Sequence, residues 1–296
     1  MKRFVPVVLP LLLAACGAPA STPSTPTPDP APQLPLRPAS SPDFYVIGLS
    51  GKCLKDAADQ WCWNLVPSSL TPLNTANNFN YLEQRQTLAA VVRAVEKNGW
   101  TARAMGYAAS LNDRTNTSSG VLATHRGYLS LVSDLQTIVR RDMQGVRNPS
   151  RLIVVGHSHG TVWSHLLTAL SPALPIEIQV DLDGVCAYWQ TDNEGDFRQA
   201  GLGDLLDFER VCRTRSSALG GDASDLQNVV FGNVRYNLDV HSSDLALFDG
   251  TDNTRPDGSR AGIFSAAFPE NHSDVTWPTS ATMTWVLQGV TNLTRR

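Results

Sequence analysis

Apolar and polar positions follow two rhythms along this chain. Phe44–Leu49 (FYVIGL) is a short, nearly continuous apolar run ending in Ser50-Gly51, the pattern of a buried strand followed by a turn. Over residues 80–97, Leu88, Val91, Val92 and Val95 recur at helical spacing, and Asn98-Gly99 supplies a stop. Residues 100–107 read as a second strand. Residues 125–143 repeat the helical spacing through Leu129, Val132, Leu135, Ile138 and Val139, with Arg140 and Arg141 near the negative end. Residues 152–155 form a third strand candidate, and 161–170 a helix stopped by Ser171-Pro172. Strands follow at 176–182 and 229–236, with a weaker one at 262–266, and Pro278 opens a closing helix to Leu293. No internal repeat is visible. The alternation predicts an α/β fold: one domain over residues 43–296, a mostly parallel sheet with helices on both faces.

The first 42 residues do not share these rhythms. Lys2 and Arg3 precede a short apolar stretch to Leu13, the pattern of a secretion signal over residues 1–15, too short to cross a bilayer. Its end, Leu13-Ala14-Ala15-Cys16, resembles the lipobox of bacterial lipoproteins, which implies that Cys16 becomes the lipid-modified first residue of an envelope protein held at a membrane surface. Residues 16–42 contain nine prolines among Ser, Thr and Ala, a composition that buries no core and reads as an extended tether. Over the whole chain, 42% hydrophobic and 17% charged residues exclude a disordered protein. A net charge of −3 gives no basic footprint for nucleic acid.

Five cysteines fit export: with Cys16 lipidated, four remain. Cys53–Cys62 and Cys186–Cys212 are the favoured pairs because each closes a short loop, although four cysteines allow three pairings. No CxxC or HxxxH spacing points to zinc, so no metal is expected.

The informative segment is Arg151-Leu-Ile-Val-Val-Gly156-His157-Ser158-His159-Gly160-Thr161, a G-x-S-x-G between an apolar strand and a helix. On composition alone roughly one chain in ten of this length would carry the pattern; the strand-to-helix context sharpens it. So tight a turn strains the backbone at the serine, and glycines on either side leave room for the close approach. The developing negative charge would then lie near the positive end of the following helix.

Here the chain resembles the α/β-hydrolase superfamily of serine esterases and lipases over roughly residues 43–293. The resemblance implies Ser158 as nucleophile, a late histidine as base and a carboxylate that orients it, in chain order Ser, Asp, His. His125 and His165 fall on predicted helices, and His157 and His159 are too close to Ser158 to turn back onto its oxygen. His272 lies between the last strand and the last helix, where the family carries its base; His241 is the alternative. For the acid, Asp183 follows the strand after the nucleophile helix, an arrangement of some lipases, whereas most members would place it at Asp239 or Asp244. The family's oxyanion hole would draw on the His159 N–H and on Ser50 or Gly51, without the HG or HGGG form of many lipases.

Residues 192–226 lie where hydrolases often insert a lid, although a plain surface excursion fits them equally. Asp249 to Gly258 is acidic and turn-rich but lacks calcium-loop spacing, so turn chemistry is the better reading. The sequence thus predicts a serine hydrolase of carboxylic esters, small-molecule or lipid, with no cofactor. The alternative is a non-catalytic binding or structural envelope lipoprotein on a hydrolase scaffold.

Overall fold

The computed structural model describes residues 33–52, 79–118, 121–204, 207, 211–213, 225–243 and 251–296. In chain order the elements are β1 (Phe44–Leu49), α1 (Tyr81–Gln84), α2 (Thr87–Glu96), β2 (Ala102–Tyr107), β3 (Arg114–Ser118), β4 (Val121–His125) and α3 (Tyr128–Ile138), which runs on into a π-helical turn at Val139–Met143. They continue with β5 (Arg151–Ser158), α4 (His159–Leu170), β6 (Ile176–Gly184), α5 (Trp189–Gln199), β7 (Val234–His241), β8 (Ile263–Ala267) and α6 (Ala281–Leu293). Six strands form one sheet in the order β2-β1-β5-β6-β7-β8, every pair parallel. β3 and β4 make a separate antiparallel hairpin. The architecture is α/β, a parallel sheet covered on both faces.

Strand alternation divides the core in two. Tyr45, Ile47 and Leu49 of β1 pack with Leu152 and Val154 against α3 and α4, where Leu131, Leu135, Trp163 and Leu166 are buried. Phe44 and Val46 turn the other way with Ile153 and Val155, against Leu88 and Val91 of α2 and Met283 and Val286 of α6. A strand buried on both faces reads as a continuous apolar run, which is why β1 and β5 were visible in the sequence.

Toward the other edge the α4 face of the sheet is polar. Gln179 and Asp181 of β6 and Asn237 and Asp239 of β7 are buried there with His165 of α4. Asp181 accepts from Asn237 Nδ2 at 2.6 Å and Asn253 Nδ2 at 3.0 Å, and lies 2.9 Å from His165 Nε2. The other ring nitrogen of His165 faces the Val229 carbonyl at 2.9 Å. With an acceptor at each nitrogen both must donate, which favours imidazolium. Burial opposes that charge, and Asp181 outweighs it, so the pKa is raised.

Several boundaries differ from the pattern. The predicted helix at 80–97 is two helices, because Gln86 takes a left-handed φ of 65° between α1 and α2. His125 ends β4 rather than starting a helix. β7 begins at Val234, not 229; Asn233 before it uses its side-chain amide to cap the Thr168, Ser171 and Leu174 carbonyls at the end of α4. The compact unit starts at Pro35. Residues 35–42 are tied down by Arg147 N–H to the Pro35 carbonyl (2.9 Å), Arg37 to Asp43 (2.5 Å) and Ser41 Oγ to Asp142 (2.6 Å). Among the described residues no helix is long and apolar enough to cross a membrane.

Candidate active site

The chain passes from β1 to β2 on one side and later places β5 on the other. The carboxyl ends of β1 and β5 therefore flank a topological switch point, where open α/β sheets bind ligands. Ser50-Gly51 leaves one of these ends and Ser158 the other.

At Ser158 the backbone takes φ 56° and ψ −130°, outside the regions an L residue ordinarily occupies, and the β5–β6 register breaks there. Such a residue costs about 1–3 kcal/mol and persists only when its surroundings dictate it. The glycines on either side show how they do. A Cβ on Gly156 would lie 2.6 Å from Thr161 Cα, and one on Gly160 would fall onto the Leu49 carbonyl oxygen. The elbow closes because α4 passes directly over β5 and against the end of β1.

Asp183, next to last in β6, is passed over in the pairing with β5, takes φ 49° and is fully buried. One carboxylate oxygen accepts the Ser242 N–H at 2.9 Å, and the other lies 2.5 Å from His272 Nδ1. The structure thus joins residues 89 positions apart. Asp239, the alternative acid, spends its Oδ2 on Asn253 N–H (3.0 Å) and Ser265 Oγ (2.8 Å), with His241 at 3.2 Å. Neither Asp239 nor His241 is brought to His272. Asp244 lies outside the described residues.

The rings on either side of Ser158 are engaged elsewhere. His159 Nε2 donates to the Ala187 carbonyl at 2.8 Å, and burial lowers its pKa to about 4, so the ring is neutral at ordinary pH. His157 Nε2 donates to the backbone carbonyl of His272 at 2.8 Å, and the two rings lie face to face at 4.5 Å with 31° between them. Its Nδ1 meets the Tyr81 hydroxyl, which also takes the Gly51 N–H at 2.7 Å. The Arg85 guanidinium lies 4.7 Å from the Tyr81 ring and bonds Thr276 Oγ1 (2.7 Å) and the Ser273 carbonyl (3.1 Å), just after His272. Tyr81, Arg85 and His157 were not among the sequence candidates. The place of His157 inside the motif was their one available signal.

Of the two loop residues proposed for the oxyanion hole, Ser50 has committed its N–H to the Tyr107 carbonyl at 3.0 Å. Gly51 lies against the serine: its Cβ, if present, would be 2.6 Å from Ser158 Cβ. Beside it, Lys52 pairs with Asp192 of α5 at 2.7 Å. α5 occupies part of the region expected to hold a lid, with Trp189 and Phe197 packed on Trp163 at 5.1 and 5.6 Å between ring centroids.

Cys186 and Cys212 form the expected disulfide. Cys16, Cys53 and Cys62 lie outside the described residues. Among those described, Asp239, His241 and Asp252 could gather ligand atoms within 4.8 Å of one another. Arg260 already answers part of that charge, bonding Asp252 at 2.6 Å and Ser265 at 2.7 Å.

No protein family matches the sequence, and no curated protein does. Among solved structures, the chain is similar to the crystal structure of a histidine-to-alanine variant of PytH, at 10% identity and a TM-score of 0.36. The match covers 84% of this chain and 97% of that one. At that score the likeness adds nothing to the geometry above.

Proposed function

We propose that the protein is a serine hydrolase that cleaves carboxylic esters through an acyl-enzyme on Ser158. One observation carries the reading: the buried Asp183–His272 pair packs on His157, the residue directly before the strained Ser158. His272, its Nδ1 held by Asp183, takes the serine proton at Nε2 as Oγ attacks the ester carbonyl, then gives it to the leaving alcohol. Water repeats the attack on the acyl-enzyme, returning acid and free Ser158. The N–H groups of His159 and Gly51 would serve as the oxyanion donors. Gly51 would turn its N–H from the Tyr81 hydroxyl to the substrate oxygen. Each such donor typically contributes about 10²–10³ in rate.

Export, lipid attachment at Cys16 and residence at a membrane surface belong to the same proposal and rest on the sequence motif. Hydrolysis of p-nitrophenyl esters of graded chain length, with Ser158→Ala as the control, tests the activity. Turnover should vanish in the variant, and equal turnover by both would defeat the reading.

A further inference from the structure

Resting on the assignment of His272 as base, we propose that His157 is a positioning residue: it anchors the backbone of His272 and is kept in the required tautomer by Tyr81. The need for an anchor follows from where His272 sits. It belongs to no regular element; it lies between β8 and the short helical turn at Asp274–Thr276. Asp183 holds the imidazole at Nδ1, and a bond to one ring atom does not by itself fix where Nε2 points. A base whose Nε2 must meet Ser158 Oγ tolerates little drift, since a misplacement of about 1 Å can cost 10²-fold in rate.

His157 supplies what Asp183 does not. Its Nε2–H binds the carbonyl of His272 itself at 2.8 Å, and its ring backs the His272 ring across 4.5 Å. Because Ser158 follows it directly, His157 ties the nucleophile's strand to the base's loop. The bond requires the proton on Nε2. That leaves Nδ1 as an acceptor, and the Tyr81 hydroxyl is the group that meets it. With Nε2 donating to the His272 carbonyl, Nδ1 takes the Tyr81 proton, and the same Tyr81 oxygen accepts the Gly51 N–H at 2.7 Å. Burial, followed by the neighbouring His272, lowers the His157 pKa well below its usual value, so a second proton does not disturb this arrangement. Arg85 stacks on Tyr81 and bonds the residues after His272, which closes the loop from the far side. A histidine that merely fills space would need none of these directional contacts.

The test compares the full chain with His157→Leu and His157→Gln, reading kcat, KM, thermal midpoint and the rate of fluorophosphonate labelling at Ser158. Leucine fills a similar volume without a donor, and kcat and labelling rate should fall about tenfold or more with KM within about twofold. Glutamine restores an N–H near the Nε2 position and should return kcat to within about threefold of wild type. A folded leucine variant with wild-type kcat overturns the inference, as does a folded glutamine variant no better than leucine. Should both variants fail to fold, Tyr81→Phe decides, because it releases the tautomer while keeping the ring. Reduced kcat at unchanged KM supports the inference and wild-type kcat overturns it. A wild-type chain that is neither labelled at Ser158 nor active defeats the assignment of His272 and this inference together.

Discussion

Ser158 adopts a backbone conformation that its own side chain opposes, and the opposition is met by two neighbours with no side chain at all. Gly156 and Gly160 let α4 and the end of β1 approach to distances a methyl group would forbid. The proposed acid is equally a matter of one residue's backbone: Asp183, next to last in β6, takes φ 49° and reaches His272, whereas Asp239 of β7 serves Asn253 and Ser265. Asp183→Asn should therefore cut ester turnover by about 10⁴, as loss of a triad acid leaves the imidazole in the wrong tautomer. Asp239→Asn should cost at most about tenfold. Steady-state kinetics with circular dichroism to confirm folding checks both, and a reversed order of effects would move the acid to β7. The strained turn at Ser158 and the contact between Asp183 and His272 were legible because motif and topology point to them. Tyr81 was not, since nothing in the sequence says that a residue 76 positions earlier reaches the ring of His157.

At the scale of elements, legibility tracked burial. β1 and β5 are apolar on both faces and announced themselves. The β3–β4 hairpin, with Arg114 and Thr115 opposite His125 and Thr124, offered no apolar rhythm to read. α5 (WQTDNEGDFRQ) is largely polar, and its hold on the body comes from Trp189 and Phe197, two anchors too few to mark a helix in the sequence. The π-helical turn after α3 shows how a polar residue shapes an element. It carries Asp142 into full burial, where Ser41 and Tyr45 hydroxyls donate at 2.6 Å each and Arg141 pairs at 2.7 Å. Burial alone would raise this carboxyl's pKa, but the Arg141 pair and the two hydroxyls outweigh it and hold it at about 2. A depressed pKa adds stability that is complete above the ordinary value near 3.8 and is lost as pH falls toward 2. Asp142→Asn should thus lower unfolding free energy at pH 7 by about 1–3 kcal/mol. The gap should narrow by pH 3. Urea unfolding at the two pH values measures it, and an equal gap at both would contradict the account.

For the whole molecule, the sheet acts as a collector. Residues from Gly51 to His272 reach one crevice because the strand order reverses beside β1, and that reversal is set by the crossovers rather than by any local signal. The same topology buries a polar stripe between α4 and the β6–β7 half of the sheet, which periodicity cannot distinguish from exposed strand positions. Cys186–Cys212 joins residues 26 positions apart just beyond the end of β6 and, on chain entropy, contributes about 3.5 kcal/mol. With Cys53–Cys62 as the second proposed pair, intact mass without reduction should show no free thiol. Attachment through Cys16 would place this body at a membrane surface at the end of a proline-rich arm. Detergent-phase partitioning should be lost in Cys16→Ala, and unchanged partitioning would remove the anchor from the proposal.

The central claim is that Ser158 is a nucleophile activated by His272. The most direct measurement treats the full chain with a fluorophosphonate probe and locates the adduct by peptide mass spectrometry. The geometry predicts a single adduct on Ser158, formed at least about 10²-fold more slowly in His272→Ala. An unlabelled Ser158, or labelling that does not depend on His272, would contradict it.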